Sequence, residues 1–432
     1  MNIQELKIEN FKCFTERNFR FQPQFNIVIG DNGAGKTALL DAVSVALGSF
    51  FLGFDRVATR TIQPDEIRRS LSLDHEAPEL RLHYPARVEV DATVGGQSVR
   101  WARELRGEGR HTTHGEAANV RALAQKLLAD SRNGVEVILP LISYYGTWRA
   151  YRQKVTWKTS TLKPGERARG YADCLTAASN VELLLKWFKT MELGALQRGK
   201  PSPTLEGVRE CLAVCMDEWS HVFHDVLLDE LVAEKQGGEK LPVRLLSDGQ
   251  RTSLFMVLDI AQRAATLNPH LQNASSTETP GVVLIDEIDL HLHPRWQRRV
   301  VDDLRTAFPR LQFIATSHSP SIIQSARSAE VLNLDPGAGP TPSPAGSPED
   351  ILEKVMGVSL PQRSERSKRM IRAAEEYYRL LESVSASQNR GELESLKIKL
   401  DELIEPFSDD EAYVAWLRQK RVAAGLDVEV LG

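Results

Sequence analysis

Apolar positions in the first thirty residues alternate as strands do: Ile3, Leu6 and Ile8, then Phe11, Phe14, Phe19, Phe21 and Phe25. Ile27-Val28-Ile29 is a short unbroken apolar run, the pattern of a strand buried on both faces. Gly30 ends it, and a helix is predicted from about Lys36. Alternation returns between Leu80 and Glu104, where Gly95-Gly96 joins two strands. Glu116 to Leu128 reads as a helix and Val135 to Tyr145 as a buried strand. Residues 146–172 are polar, basic and irregular. Helices are predicted over Asn180–Leu193, Leu205–Leu231 and Leu246–Ala265, the last opened by a capping residue. Asn268 to Gly281 reads as a loop by composition. Val282–Ile285, Gln312–Thr316 and Ala329–Leu334 are further strands.

Pro336 to Pro348 holds five Pro and three Gly in 13 residues, and is expected to be a linker. Beyond it the chain is charged and helical. Ser364–Val384 and Glu392–Ile404 suit an antiparallel pair, and Ser408 to Glu411 is a capping-box pattern opening a last helix to about Ala424. No internal repeat is visible. The division expected is an N-terminal lobe over 1–145, an inserted helical and basic segment over 146–240, a second lobe over 241–335, a linker over 336–348 and a helical tail over 349–432.

Composition narrows this little. Of 432 residues, 42% are apolar and 26% charged, which excludes a disordered or fibrous chain. The net charge of -4 makes any nucleic-acid contact a local patch. Four cysteines make no disulfide scaffold and fit a reducing compartment. The N-terminus lacks the basic and apolar regions of a signal peptide. Thr37 to Phe54 carries a single charge, Asp41, over 18 residues and has the length of a membrane helix. It begins inside a phosphate-binding motif, so burial against a sheet is expected instead, in a soluble, cytoplasmic protein without a membrane partner.

That motif is Gly30-Asp31-Asn32-Gly33-Ala34-Gly35-Lys36-Thr37, the pattern G-x-x-x-x-G-K-[ST] between a buried strand and a helix. Glycines let backbone N–H groups turn inward around phosphate oxygens, and the helix N-terminus adds partial positive charge. Lys36 is placed to meet the outer phosphates, and the Thr37 hydroxyl to meet Mg²⁺. A second signal is Val282 to Glu287, an apolar strand ending in two acids. Asp286 would hold the Mg²⁺ through water and Glu287 would polarise the attacking water. A third is Leu246-Ser247-Asp248-Gly249-Gln250, a hydroxyl and a glycine at a helix start. A fourth is Thr316-Ser317-His318-Ser319-Pro320, after the next strand.

Together, and in this order, the four resemble the ABC-type ATPase family. The resemblance implies an α/β P-loop ATPase head with a helical lid insertion and a C-terminal helical appendage. By it, Gly30–Thr37 is the Walker A motif, Leu246–Gln250 the signature, Val282–Glu287 Walker B, Ile288–His291 the D-loop and His318 the switch histidine. It further implies ATP and Mg²⁺ as ligands, and two heads meeting head to tail, so that Ser247 and Gly249 act on the partner's ATP. One chain carries one set of motifs, so at least a homodimer is expected.

The gap from Thr37 to Ser247 is 210 residues, longer than transporter ATPases have. The start Leu6 to Phe14 and the stretch Asp31 to Gly35 resemble the RecF/SMC-like branch, in which the positions of Lys12 and Asn32 lie beside the nucleotide. The compact ATPases of bacterial defence systems, of the PtuA, AriA and OLD type, are most similar. Shared features are Asp248, Asp289-x-His291-x-His293-Pro294, Thr316–Pro320, Tyr144 to Thr147, and Gly170-Tyr171 to Trp187-Phe188. The implied role is a sensor or scaffold with a separate effector; a RecF-like repair ATPase is the alternative, and a transporter subunit fits less well. OLD-type enzymes add a Toprim nuclease. The 114 residues after His318 lack its buried strands, so no nuclease is expected in this chain.

Asp248, in place of the usual glycine, brings a carboxylate near phosphate unless it points away or caps the helix. Tyr145 and Arg149 are both open as substitutes for the family's Q-loop glutamine. From Arg149 to Arg169, seven basic residues (Arg149, Arg152, Lys154, Lys158, Lys163, Arg167, Arg169) interleave with Trp148, Tyr151 and Trp157. This suits a nucleic-acid surface or a protein interface. Cys211 and Cys215 with His221 and His224 have the residue types of a zinc site, but along one helix they could not converge on one ion.

Overall fold

A computed structural model describes residues 1–72, 79–147, 166–176, 181–216, 218–335 and 347–357, with single helical positions between 368 and 402. In chain order the elements are β1 (Asn2–Phe11), β2 (Phe14–Arg20), β3 (Phe25–Ile29), α1 (Lys36–Gly48), β4 (Arg69–Ser72), β5 (Glu79–Leu82), β6 (Ala86–Val94), β7 (Gln97–Leu105), α2 (Ala118–Arg132) and β8 (Leu141–Tyr145). There follow α3 (Val181–Arg198), α4 (Pro203–Cys215), β9 (Trp219–Asp225), β10 (Glu230–Lys235), β11 (Lys240–Pro242), α5 (Asp248–Leu267), α6 (Ser275–Glu278) and β12 (Gly281–Ile285). The last are α7 (Pro294–Gln297), α8 (Val300–Ala307), β13 (Leu311–Thr316), α9 (Pro320–Ser325), β14 (Val331–Asn333) and α10 (Pro348–Lys354).

Two sheets build the head. One is parallel, in the order β14-β3-β13-β12-β8. Every residue of β3, β8, β12 and β13 is buried, which is why these strands read as apolar runs. The other is antiparallel, β2-β1-β6-β7, and β6 alternates buried and half-buried positions along its length. Helix α1 packs against strands of both sheets. That placement explains a helix apolar around its circumference, and the 18-residue window Lys36–Gly53 is 78% buried. The Trp101 indole of β7 donates to Ala46 O at 2.9 Å and ties the second sheet to the helix. Phe50, Phe51 and Phe54, just after α1, surround Tyr171 with ring centroids 5.0 to 6.1 Å away. Edge-to-face pairs of this kind add about 0.5–1.5 kcal/mol each beyond the area they bury.

Three expectations are corrected. The helix predicted over Leu205–Leu231 stops at Cys215, and the chain returns as the three-stranded sheet β11-β10-β9. Trp219, Val222 and His224 are the buried positions of β9, so the apolar residues serve a sheet face instead of a continued helical stripe. His221 and His224 therefore stand on a strand, apart from the helix of Cys211 and Cys215, and all four cysteines are free. The strand expected from Val135 begins only at Leu141. Before it, side chains take the place of a ladder: Leu139 N–H donates to Asn268 Oδ1 at 2.8 Å, and the Arg167 guanidinium donates to Val137 O at 2.6 Å. The loop expected over Asn268–Gly281 contains a 3-10 turn, Pro269–Ala274, and α6.

The chain divides into two compact units, Met1–Ile351 and Leu352–Gly432. In the second, the described positions between 368 and 402 are helical, and Lys368 and Ala373 are buried. The remainder of the helices expected in the tail, most of the linker, and the basic run up to residue 165 lie outside the described residues.

Candidate nucleotide-binding site

The order of the parallel sheet brings the motifs together. β3, which leads into the P-loop, and β12, which ends in the two acids, both pair with β13. All three point the same way, so their C-terminal ends form one rim, where open α/β sheets take ligands.

On this rim Gly30, Gly33 and Gly35 have φ of 148°, 88° and 102°. At Gly35 a Cβ would stand 2.5 Å from Cys13 Sγ and 2.7 Å from Phe14 Cζ, so no other residue fits under the β1–β2 turn. At Gly33 nothing lies within 4 Å of that position, and the mouth of the loop is open. Asn32 is exposed there. Lys36 is only 9% exposed and lays its ammonium on Gly30 O at 2.7 Å and Asp31 O at 2.9 Å. Burial lowers its pKa, opposed by the charges of Asp335, Asp286, Asp31 and Glu287.

Thr37, the first exposed residue of α1, donates from Oγ1 to Asp286 Oδ2 at 3.0 Å. Thr316 at the end of β13 donates from Oγ1 to Asp286 Oδ1 at 2.6 Å and accepts from Glu287 N–H at 2.7 Å. One hydroxyl thus fixes both acids. Glu287 has φ of 50°, a left-handed turn that re-aims the chain just past the strand. A hydroxyl and a carboxylate in contact at the loop's mouth are hard oxygen donors of the kind Mg²⁺ takes, so the residues fit that ion.

The other predicted residues stand further out. The Lys12 ammonium pairs with Asp41, one turn along α1 from Thr37, and lies 3.8 Å from Glu66. Tyr144 also donates to Asp41, at 3.4 Å. Tyr145 faces the opposite way: its hydroxyl donates to Asp259 Oδ2 at 2.6 Å in the core of α5, which sets it apart from any Q-loop role. Arg149 lies outside the described residues. Of the basic run, Arg167 and Arg169 are described, and Arg167 is a brace, donating to Leu267 O, Val137 O and Asn268 Oδ1.

Ser247 caps α5 in a reciprocal box with Gln250, and is exposed. Asp248 turns its carboxylate to Arg251 at 2.5 Å. Gly249 is dictated by packing, because a Cβ would stand 2.1 Å from His291 O. The signature and the D-loop are therefore in direct backbone contact. Asp289 accepts from Ser317 Oγ at 2.6 Å, so the residue before His318 is tied to the D-loop as well. His318 is half exposed.

A parallel sheet with a P-loop, a paired-acid strand and a capped signature helix defines a P-loop ATPase head. Two family models, each described as an AAA domain, match residues 5–193 and 222–324; the second description also names the AbiEii toxin and a Type IV TA system. The chain is 24% identical to the "Retron Ec83 probable ATPase" of Escherichia coli over 412 residues, covering 78% of this chain and 72% of that one. It is 23% identical to the "Septu protein PtuA" of Bacillus thuringiensis over 425 residues, covering 94% of each. An SMC head domain from Thermotoga maritima aligns at 16% identity with a TM-score of 0.44, covering 77% of this chain and 94% of that one. By these likenesses the chain is similar to ATPases of the ABC and RecF-like kind.

Proposed function

We propose that the protein binds ATP with Mg²⁺ at Gly30–Thr37 and hydrolyses it in a head-to-tail homodimer, as the sensor or scaffold subunit of an antiviral defence system with a separate effector. The observation that carries the ATP site is the 3.0 Å contact between Thr37 and the 5% exposed Asp286, which joins the P-loop to the acid strand. Gly30, Gly33 and Gly35 present backbone N–H groups to the phosphates, with Asn32 at the rim. Lys36 exchanges the carbonyls of Gly30 and Asp31 for phosphate oxygens. Thr37 and Asp286 would hold Mg²⁺, which supplies positive charge between the outer phosphates. Glu287, oriented through Thr316, accepts the proton of the attacking water, and His318 contacts the γ-phosphate. Lys12 supports the P-loop helix through Asp41.

Ser247 is exposed at a helix N-terminus, a position suited to a partner's phosphate. Gly249 lets the D-loop backbone approach, so occupancy across the dimer can be felt at Asp289 and Ser317. The defence setting is supported by likeness to the retron and Septu proteins over most of the chain. A RecF-like role in repair is the second reading. It is favoured by 33% identity to the "DNA replication and repair protein RecF" of Pasteurella multocida over 103 residues, 23% of this chain and 25% of that one.

The test is mass by light scattering with and without ATP, for wild type and Glu287→Gln. ATP is expected to convert monomer to dimer, and the variant to trap the dimer with ATP uncleaved. A mass indifferent to nucleotide in both proteins would sink the switch. Strong stimulation of hydrolysis by DNA would favour the repair reading.

A further inference from the structure

One carboxylate touches the P-loop from outside every motif. Asp335 follows β14, and its Oδ1 and Oδ2 accept from Asp31 N–H at 2.9 and 3.2 Å. Its Oδ1 is 3.2 Å from where a Cβ of Gly30 would stand. The aspartate is held firmly. Leu334 N–H donates to Ile29 O at 3.0 Å, Arg17 donates to Leu334 O at 3.1 Å, and Asp335 N–H donates to Asn333 Oδ1 at 3.0 Å. Gly30 and Asp31, which it touches, are also the residues whose carbonyls hold the Lys36 ammonium. Asp335 is foremost among the carboxylates whose charge acts on Lys36.

We propose that Asp335 is a positioning residue that sets ATP affinity: it fixes the first turn of the P-loop through Asp31 N–H, while its charge competes with incoming phosphates for Lys36. This rests on the reading of Gly30–Thr37 as the ATP site. The two effects have opposite signs. The hydrogen bond keeps the loop in its binding shape, and the negative charge opposes a polyanion a few ångströms away. A group that only braced the fold would show the first effect without the second.

Substitution separates them. Asp335→Asn keeps an oxygen acceptor for Asp31 N–H and removes the charge. ATP titrated calorimetrically into the full chain is expected to bind Asp335→Asn about two- to fivefold more tightly than wild type, the scale of a partly exposed ion pair. The gain should shrink between about 0.05 and 0.5 M salt, because screening weakens charge and leaves hydrogen bonds in place. Asp335→Ala loses the acceptor as well, and its gain should be smaller or reversed. If Asp335→Asn lowers the melting temperature, Asp335→Ser, whose hydroxyl also accepts, must show the same tightening. Lys36→Ala is the separate control on the site. If Lys36→Ala loses ATP while Asp335→Asn binds no tighter than wild type, the inference is overturned and the site stands. If Lys36→Ala binds ATP as wild type does, both are overturned.

Discussion

Thr316 is the residue on which the geometry of the two acids depends. Its hydroxyl donates to Asp286 and accepts from Glu287 N–H, so its loss removes one of the bonds that orient the Asp286 carboxylate, leaving that from Thr37, together with a bond to the left-handed turn at Glu287. Thr316→Val keeps the shape and removes both bonds. Steady-state kinetics are expected to show kcat lower by about 10–100-fold, the usual scale for a group that orients a ligand-holding side chain, with a smaller change in KM. An unchanged kcat would remove Thr316 from the mechanism. The sequence marked this residue only as part of a motif. Its role was not legible because the contact joins residues 30 positions apart, and only the pairing of β12 with β13 brings them together.

Helix α5 shows the same division at the scale of the element. Its start was legible: Ser247 and Gln250 stand three apart before an apolar run, and the capping box forms. Its anchorage was not. Asp259 accepts from Tyr145 of β8 and from Arg263 Nε at 2.7 Å, and Arg263 donates on to Gly170 O and Ala172 O, both at 2.9 Å. This network, in which the Tyr145, Asp259 and Arg263 side chains are all buried, ties the signature helix to the parallel sheet. Asp259→Ala would strand the Arg263 guanidinium in the core and is expected to cost roughly 3–5 kcal/mol, read as a lower denaturant midpoint. Tyr145→Phe removes one neutral donor and should cost only about 1 kcal/mol. Equal losses in the two variants would refute the network. The helix predicted through Leu231 failed at this scale too. A 3.6-residue pattern and an alternating one share apolar positions over a short span, and packing against β10 decided for the strand.

At the scale of the whole molecule, several histidines titrate against the fold. Burial is the main cause that lowers the pKa of His114, His221 and His270, with neighbouring arginines adding to it. A histidine held neutral in the fold takes its proton more readily when unfolded, so stability is full above about pH 6.5 and is lost as pH falls through the lowered values. Glu66 works the other way, since burial raises its pKa, but it acts nearer the carboxylate range. The melting temperature should therefore fall between about pH 7.5 and 5.5, and His221→Gln should flatten that fall. A slope unchanged in the variant would remove His221 from the account. The sequence by itself determined the local chemistry: the P-loop, the acid pair, the capped signature and the apolar strands, each set by neighbours within a few residues. Tertiary structure decided which hydroxyl orients the acids, which glycine admits the D-loop, where Lys12 points and that Asp335 reaches the P-loop. Those contacts join residues far apart in sequence, and the order of strands in the parallel sheet, which no local pattern encodes, is what places them on one rim.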